Sequence, residues 1–119
     1  MATVHSVRFS ADVIETVLGG TVTAHDIRDM AQQVTGLGRL RVWFVSGEGV
    51  DGYEPSAIDA MGRELDRLQR DHGLEALVAV VVQTRVRMGA SLVAMLVRMP
   101  VKVCSRRAEA LEKIRGLLR

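Results

Sequence analysis

Cysteine is almost absent from this chain of 119 residues, which contains only one, Cys104. A single cysteine allows no internal disulfide and no zinc site built on several thiolates, so a reducing cytoplasm is the predicted compartment. Long apolar runs are also absent, since none approaches the roughly 18 residues that cross a bilayer. Residues 1–10 lack the basic and then apolar pattern of a secretory signal. We therefore expect a cytoplasmic protein without integral membrane insertion.

Aromatic residues are scarce, and charge is unevenly distributed. The chain has one tryptophan, one tyrosine and two phenylalanines, and none of them lies in the basic second half. Residues 1–75 contain seven basic against twelve acidic side chains, whereas residues 76–119 contain nine basic against two acidic ones. Nucleic acid is not a predicted partner, because no aromatic platform for stacked bases accompanies the basic residues. The asymmetry is either ordinary solvated charge or a dipolar surface that orients a charged partner.

The residue types that carry catalysis are sparse as well. The three histidines, His5, His25 and His72, pair neither with a cysteine nor with one another at ligand spacing. Cys104 precedes two arginines that could lower the pKa of a thiol, but a buried cysteine at a strand end is the preferred interpretation. No nucleophile with its base, no metal-ligand set and no credible phosphate loop is evident. We therefore predict no enzyme, no catalytic residue, no metal and no cofactor.

What the chain does contain is an ordered series of predicted strands and helices. Val4–Phe9 and Val13–Leu18 are rich in β-branched and apolar residues, and the turn residues between them predict an antiparallel hairpin. Three strand-then-helix units follow a first helix. The predicted elements after the hairpin are a helix from Thr23 to Gly36, a strand in Arg39–Val45, a helix from Ser56 to Gly73, a strand in Glu75–Gln83, a helix over Met88–Met99, a strand over Val101–Cys104 and a last helix capped by Ser105.

Local signals set the ends of these elements and the class of fold. Gly19-Gly20 is expected to end the second strand, and Thr23 with Asp26 forms a capping box that starts the first helix. The nearly all-apolar segment 76–82 indicates a strand buried on both faces, at the centre of a parallel sheet. Parallel strands joined by helices carry those helices on the sheet faces. We predict one α/β domain over residues 1–119, with a mixed, mostly parallel sheet and about four helices.

A long acidic loop is predicted over Ser46–Pro55. It contains Gly-x-Gly-x-x-Gly, but three residues separate the last glycine from the next helix, and Glu48 and Asp51 would repel a phosphate. The same carboxylates could bind a hard metal ion, although the EF-hand spacing is absent and a solvated loop is the preferred interpretation. Ser56 follows the loop at the predicted cap of the second helix.

The third predicted helix is apolar nearly all round. A helix of that kind must be covered on more than one side. One side can pack on the sheet, and the other is left open between core packing, a protein interface such as a homodimer, and an apolar ligand. Arginines flank the helix, so an acidic partner or an anionic headgroup would find charge nearby. The apolar stripe consists of Met88, Leu92, Met95, Leu96 and Met99.

Two short segments of the chain resemble STAS domains. Gly20–Ile27 is similar to the entry to the first STAS helix, and Ser105–Leu111 is similar to the closing strand-to-helix step. The order of elements agrees over nearly the whole chain with the SpoIIAA-like branch, the relatives of anti-sigma factor antagonists. The resemblance implies a STAS/SpoIIAA-like fold and a bacterial regulatory protein whose partner is a kinase-like anti-sigma protein.

The resemblance also implies where a regulatory modification would lie. In STAS antagonists the partner kinase phosphorylates a serine between the third strand and the second helix, in a short motif from which this chain departs. Ser56 is the candidate phosphorylation switch, and a plain structural cap is the alternative. We predict a non-enzymatic regulatory module for protein binding, with a small apolar or lipid-like ligand-binding domain as the alternative. The predicted partner-binding residues are Glu48, Asp51, Tyr53, Met88, Met95 and Met99.

Overall fold

The computed structural model describes residues 2–119. Five strands form one sheet in the order β1-β2-β3-β4-β5, in which β1 and β2 are antiparallel and the other neighbours are parallel. The predicted α/β fold with an N-terminal hairpin and a mostly parallel sheet is therefore confirmed. The elements are β1 (Thr3–Arg8), β2 (Val13–Val22), α1 (Ala24–Gly36), β3 (Val42–Tyr53), α2 (Pro55–His72), β4 (Ala76–Val80), α3 (Thr84–Leu96), β5 (Val101–Cys104) and α4 (Arg107–Leu117).

The two faces of the sheet are covered unequally. Helices α1, α2 and α3 bury one face, to which β2 contributes Ile14 and Leu18. Helix α4 covers the other face over β3, β4 and β5. Val13 and Phe44 lie in the apolar cluster between α4 and the sheet. Strand β4 is buried throughout, as its apolar sequence predicts. Val17 stays exposed because α4 does not extend over β1 and β2.

The start of α1 confirms the predicted capping box. The Thr23 hydroxyl accepts the backbone N–H of Asp26 at 3.2 Å, and the Asp26 carboxylate accepts the backbone N–H of Thr23 at 2.8 Å. These bonds satisfy two N–H groups that a helix start would otherwise leave unpaired. The predicted inner face is also confirmed, since Ile27, Met30 and Val34 are buried.

Strands β2 and β3 continue past their predicted ends. Gly19-Gly20 lies inside β2 instead of ending it, and most of the predicted loop Ser46–Pro55 is strand, because β3 runs to Tyr53. This last part of β3 pairs with β2 and extends past the end of its pairing with β4. We call the paired ends, residues 19–22 and 47–53, the β2–β3 ribbon.

Glycines give the ribbon its loop-like sequence, and the packing is tight at one of them, Gly47. A Cβ added at Gly19 would lie 3.6 Å from the carbonyl oxygen of Gly49, which is an ordinary van der Waals distance. A Cβ at Gly47 would lie 3.1 Å from the carbonyl oxygen of Val80. The pairing of β2 with β3 also shifts register twice, which glycine accommodates. The Gly-x-Gly-x-x-Gly sequence is therefore part of a strand, with no helix directly after its last glycine.

Helix α2 does not use Ser56 as its cap. Glu54 is the N-cap residue and Pro55 is the first helical residue, a position at which the missing proline N–H costs nothing. Ser56 lies inside the first turn, so the predicted capping role is wrong. The end of α2 agrees with the prediction, because Gly73 has a φ of 73° in the left-handed region that favours glycine.

The last two helices differ from the prediction at their ends. Helix α3 begins at Thr84, earlier than predicted, and ends at Leu96, so Met99 lies outside it. Helix α4 follows Arg106 as its N-cap residue, and Ser105 is not the cap. None of the helices in residues 2–119 is both long enough and apolar enough to cross a membrane.

Candidate functional site

Helix α3 presents apolar side chains to the core and also to solvent. Val86, Gly89 and Val93 are buried beneath it. Four large apolar side chains of the helix remain exposed, although Leu96 also packs beside Gly62 of α2, and clustered exposure of this kind marks an interaction surface. We call them the outer stripe of α3, and their exposed fractions are 62%, 46%, 81% and 51% in the order Met88, Leu92, Met95, Leu96.

Met99 is not part of this surface, although its spacing in the sequence places it in the same stripe. Helix α3 ends at Leu96, and the following residue, Val97, has extended backbone angles. The chain therefore leaves the helical path, and the Met99 side chain enters the core with only 5% of its surface exposed. The prediction of Met99 as a partner-binding residue is corrected: Met99 is a core residue.

Positively charged side chains border the outer stripe. Arg85 lies one turn before Met88 and is exposed, and its guanidinium carbon is 5.9 Å from the centre of the Tyr53 ring. Arg98 is exposed just past the other end of the helix. An apolar surface between two cations is suited to a partner with acidic side chains around an apolar groove.

Two contacts hold the first turns of α3 against the sheet. The Arg87 guanidinium donates to the Ser105 hydroxyl at 2.6 Å and to the Val81 carbonyl oxygen at 3.3 Å. The Tyr53 ring packs against Gly89, where an added Cβ would lie 2.7 Å from the ring carbon Cε1. Only glycine leaves room for the ring at that position. The half-buried Tyr53, a predicted partner-binding residue, is thus brought beside α3.

Glu48 and Asp51, the two predicted acidic binding residues, are exposed on the β2–β3 ribbon. Asp51 accepts a hydrogen bond from the Thr21 hydroxyl at 2.9 Å. Hydrogen bonding to Glu15, and to a smaller extent the charge of Glu48, raises the pKa of Arg107. The Ser46 hydroxyl donates to Glu48 at 2.9 Å, and Ser46 shares the α4 face of β3 with Val42 and Phe44, so Glu48 lies towards that side of the sheet, away from α3. The structure joins Tyr53 to α3 but does not bring Glu48 into the same surface.

A partly buried ion pair, which the sequence analysis did not identify, lies on the α4 side of the sheet. Glu15 in β2 is only 8% exposed, and its carboxylate accepts two hydrogen bonds from Arg107 at 2.6 and 3.2 Å. The guanidinium of Arg107 also lies 5.0 Å from the centre of the Phe44 ring. The pair holds the start of α4 against β2. Its signal in the sequence is only a glutamate within an otherwise apolar strand, since the partner is 92 residues away.

Cys104 is a buried thiol at the end of β5. Burial, together with a hydrogen bond to Glu109, raises the pKa of Cys104 to about 11. A thiol with such a pKa is almost entirely protonated near neutral pH and is a poor nucleophile. The preferred interpretation, a buried cysteine at a strand end, is confirmed. Within residues 2–119, no group of three or more His, Cys, Asp or Glu side chains is placed to hold a metal ion.

Ser56 is exposed in the first turn of α2, three residues after Tyr53, whose ring packs against α3. The backbone N–H groups of a first helical turn and the helix dipole favour negative charge at such a position. Glu54 lies two residues away and opposes this effect. Ser56 therefore offers an accessible hydroxyl at a helix start.

Comparisons with known proteins support the fold. No protein-family model and no curated protein matches the sequence. An uncharacterized protein of the DUF3478 family with a SpoIIAA-like fold, from Shewanella loihica PV-4, is 14% identical, with a TM-score of 0.58 over 94% of this chain and 92% of that one. The anti-sigma factor antagonist SpoIIAA in its unphosphorylated form is 12% identical, with a TM-score of 0.62 over 96% and 99%. Together with the strand order, these matches show that the chain has a STAS/SpoIIAA-like fold.

Proposed function

We propose that this chain is a non-enzymatic regulatory module of the bacterial cytoplasm that binds a protein partner through the outer stripe of α3. The observation that carries the proposal is the exposure of four large apolar side chains together on one helix. The fold adds support, because one solved structure with this fold is an anti-sigma factor antagonist. A partner of the kinase-like anti-sigma type is therefore the first candidate.

Burial of the outer stripe would supply much of the association free energy. Full burial of one large apolar side chain is favourable by about 1.5–3 kcal/mol. Met95 has the most surface to bury, since 81% of it is exposed. Methionine also adapts its unbranched side chain to an irregular partner surface. We expect Met88 and Met95 to be the principal apolar contacts, with Tyr53 at the border.

The charge around the stripe defines the chemistry of the partner. Arg85 and Arg98 are exposed at its two ends, and residues 76–119 contain nine basic against two acidic side chains. A partner with carboxylates around an apolar groove would complement this surface and would approach it favourably over a distance. This complementarity favours an acidic protein over a second copy of the same basic surface.

Ser56 is the proposed phosphorylation switch of the interaction. It lies three residues after Tyr53, whose ring faces the guanidinium of Arg85. A phosphate on Ser56 would add about 1.5–2 negative charges at the start of α2. It would compete with the partner's carboxylates for Arg85 and repel them. Phosphorylation is therefore expected to release the partner.

The affinity of a purified partner for Met95→Glu tests the proposal. The partner is first identified by native mass spectrometry of the tagged chain drawn gently from its host lysate, and is then purified and titrated by calorimetry. We expect Met95→Glu to weaken binding at least about tenfold, because it places a charge in a desolvated apolar contact. Ser56→Asp is expected to weaken binding too, whereas Ser56→Ala should retain the wild-type affinity for the partner.

Leu37→Glu is the matched control, because Leu37 is also an exposed apolar residue but is the C-cap residue of α1, a helix that packs on β1, β2 and α2. It should retain wild-type affinity, and thermal unfolding followed by circular dichroism should show that both variants fold. Equal affinity of Met95→Glu and the wild type would contradict the proposed surface. A mass spectrum with only the bare chain or a homodimer would contradict the proposed partner.

A further inference from the structure

An apolar cavity of about 110 Å³ lies beneath α3, between the three-helix side of the sheet and the helices themselves. Leu18 and Val45 line it from the strands, Met61 lines it from α2, and Val86 and Val93 line it from α3. Tyr53 is the only lining residue with a polar group in its side chain. The other lining residues are apolar or, like Gly47 and Gly89, have no side chain.

This lining favours an apolar occupant over water. A buried water needs about two to four polar partners, whereas apolar cavities stay dry, and an engineered one of about 150 Å³ in another protein binds benzene or xenon. Tyr53 supplies the only polar side-chain group in the lining. The cavity is thus of the size and chemistry that accept a neutral apolar molecule of about the volume of benzene.

One side of the cavity is open to an incoming molecule. Tyr53, Ile58 and Ala90 are the lining residues that keep partial exposure, and the other lining residues are buried. Ile58 lies in the first turns of α2 and Ala90 lies in α3. The entrance is therefore between α2 and α3, beside the Tyr53 ring.

Helix α3 is held in a way that allows this entrance to widen. The side chain of its N-cap residue, Gln83, makes no capping hydrogen bond. Among residues 2–119, Arg87 provides the only side-chain hydrogen bonds that α3 makes. Besides the Arg85 guanidinium over the Tyr53 ring, the rest of its attachment is apolar packing, through residues such as Val93 that also line the cavity. A small outward movement of α3 would therefore break few polar contacts.

We propose that this cavity is a binding site for a small, neutral, apolar molecule, which enters between α2 and α3 and packs against the inner face of α3. The site is separate from the outer stripe and does not require the proposed protein partner. Because Val86, Ala90 and Val93 would contact the ligand, an occupied cavity would hold α3 more firmly against the sheet.

Benzene, titrated into the full chain with isotopically labelled methyl groups, tests the site directly. We expect saturable shift changes in the NMR signals of Leu18, Val45 and Val93, whose methyl groups line the cavity. The methyl groups of Met88 and Met95, which point outwards, should shift little. Hydrogen exchange in α3 should slow as benzene saturates the chain.

Two alanines of α3 provide a matched pair of variants. Ala90 and Ala94 lie one turn apart and are both half-buried, but only Ala90 lines the cavity. Ala90→Leu fills the cavity and should lower benzene affinity at least about tenfold, whereas Ala94→Leu should leave it within about twofold. Ala57→Leu fills the cavity from α2 and serves the same purpose if Ala90→Leu does not fold.

The possible results separate cleanly. Saturable shifts inside the cavity that Ala90→Leu or Ala57→Leu abolishes support the site. No shift in the wild type up to the solubility limit of benzene overturns it. Shifts confined to Met88 and Met95 also overturn it, because they indicate adsorption on the outer stripe. Shifts that the cavity-filling variants do not alter overturn it as well, because benzene then binds outside the cavity.

Discussion

Thr16 illustrates how one polar side chain is satisfied inside the three-helix side of the core. It is fully buried in β2, and its hydroxyl oxygen accepts the indole N–H of Trp43 at 2.8 Å. The same hydroxyl shares a second hydrogen bond of 2.7 Å with the Ser6 hydroxyl in β1. These bonds allow the indole to be buried without an unpaired donor, and they connect three strands of the sheet.

Thr16→Val is predicted to destabilise the chain by about 1–3 kcal/mol, because it leaves the buried Trp43 N–H without an acceptor. Valine has nearly the same shape and a high preference for strands, so packing changes little. Urea unfolding followed by the fluorescence of Trp43, the only tryptophan, measures the loss.

Ser6→Ala serves as the control for this prediction. Ser6 is only partly buried, and its removal leaves Thr16 bonded to Trp43, so the expected loss is less than about 1 kcal/mol. If Thr16→Val unfolded at the wild-type urea concentration, the hydrogen bond to Trp43 would have no measurable role in stability.

At the scale of elements, α4 depends on the Glu15–Arg107 pair for its position on the sheet. Arg107 is the first residue of α4, and it reaches β2, which α4 does not otherwise cover. The carboxylate of Glu15 is shielded, while the Arg107 side chain keeps 43% of its surface exposed. Solvent therefore screens one partner of the pair more than the other.

Arg107→Met is predicted to lower the free energy of unfolding by about 1–3 kcal/mol, less than for a fully buried pair because solvent reaches Arg107. The loss arises because the Glu15 carboxylate remains buried without its donor. Adding Glu15→Gln should recover part of it, since a neutral amide costs less to bury. Chemical denaturation measures the stability, and hydrogen exchange in α4 reports local opening.

Arg106→Met is the control, because Arg106 is exposed at the N-cap position of α4 and forms no ion pair within residues 2–119. It should change stability by less than about 0.5 kcal/mol. A loss as large as that of Arg107→Met would mean that positive charge near the helix start matters, and not the pair with Glu15.

At the scale of the whole molecule, the excess of basic side chains falls on the elements of residues 76–119, which include β4 and β5 at one end of the sheet. The carboxylates of Glu48 and Asp51 lie on the β2–β3 ribbon. The basic residues Arg85, Arg98 and Lys102 belong instead to α3, β5 and the segment between them. The uneven charge along the sequence thus becomes an uneven charge in space. The electric field of such a charge distribution orients a charged partner before the two proteins touch.

The association rate with the proposed partner is therefore predicted to fall at least about tenfold between roughly 20 and 300 mM salt, because salt screens long-range attraction. Stopped-flow mixing of the purified proteins measures the rate. Replacing both Arg85 and Arg98 by glutamine should flatten the salt dependence, and Arg119→Gln, just past the end of α4, should not. A rate that is independent of salt would exclude steering by these arginines.

The accuracy of the sequence predictions varied with the range of the interactions involved. The capping box at Thr23, the glycine end of α2 and the all-apolar β4 were predicted correctly, because each depends on residues a few positions apart. The ribbon was misread as a loop, since its glycines and carboxylates have turn-like composition. They form a strand because β2 lies beside them and accepts their hydrogen bonds.

The sequence by itself determined the order of strands and helices, the mixed sheet and the apolar character of α3. Periodicity and local capping are written in neighbouring residues, so these features need no knowledge of distant contacts. Only the tertiary structure decided that Met88 and Met95 face solvent while Met99 is buried, and that Glu15 pairs with Arg107. It also decided that a cavity remains beneath α3. These outcomes depend on where the helix ends and on which surfaces meet, and packing between residues far apart in the chain sets both.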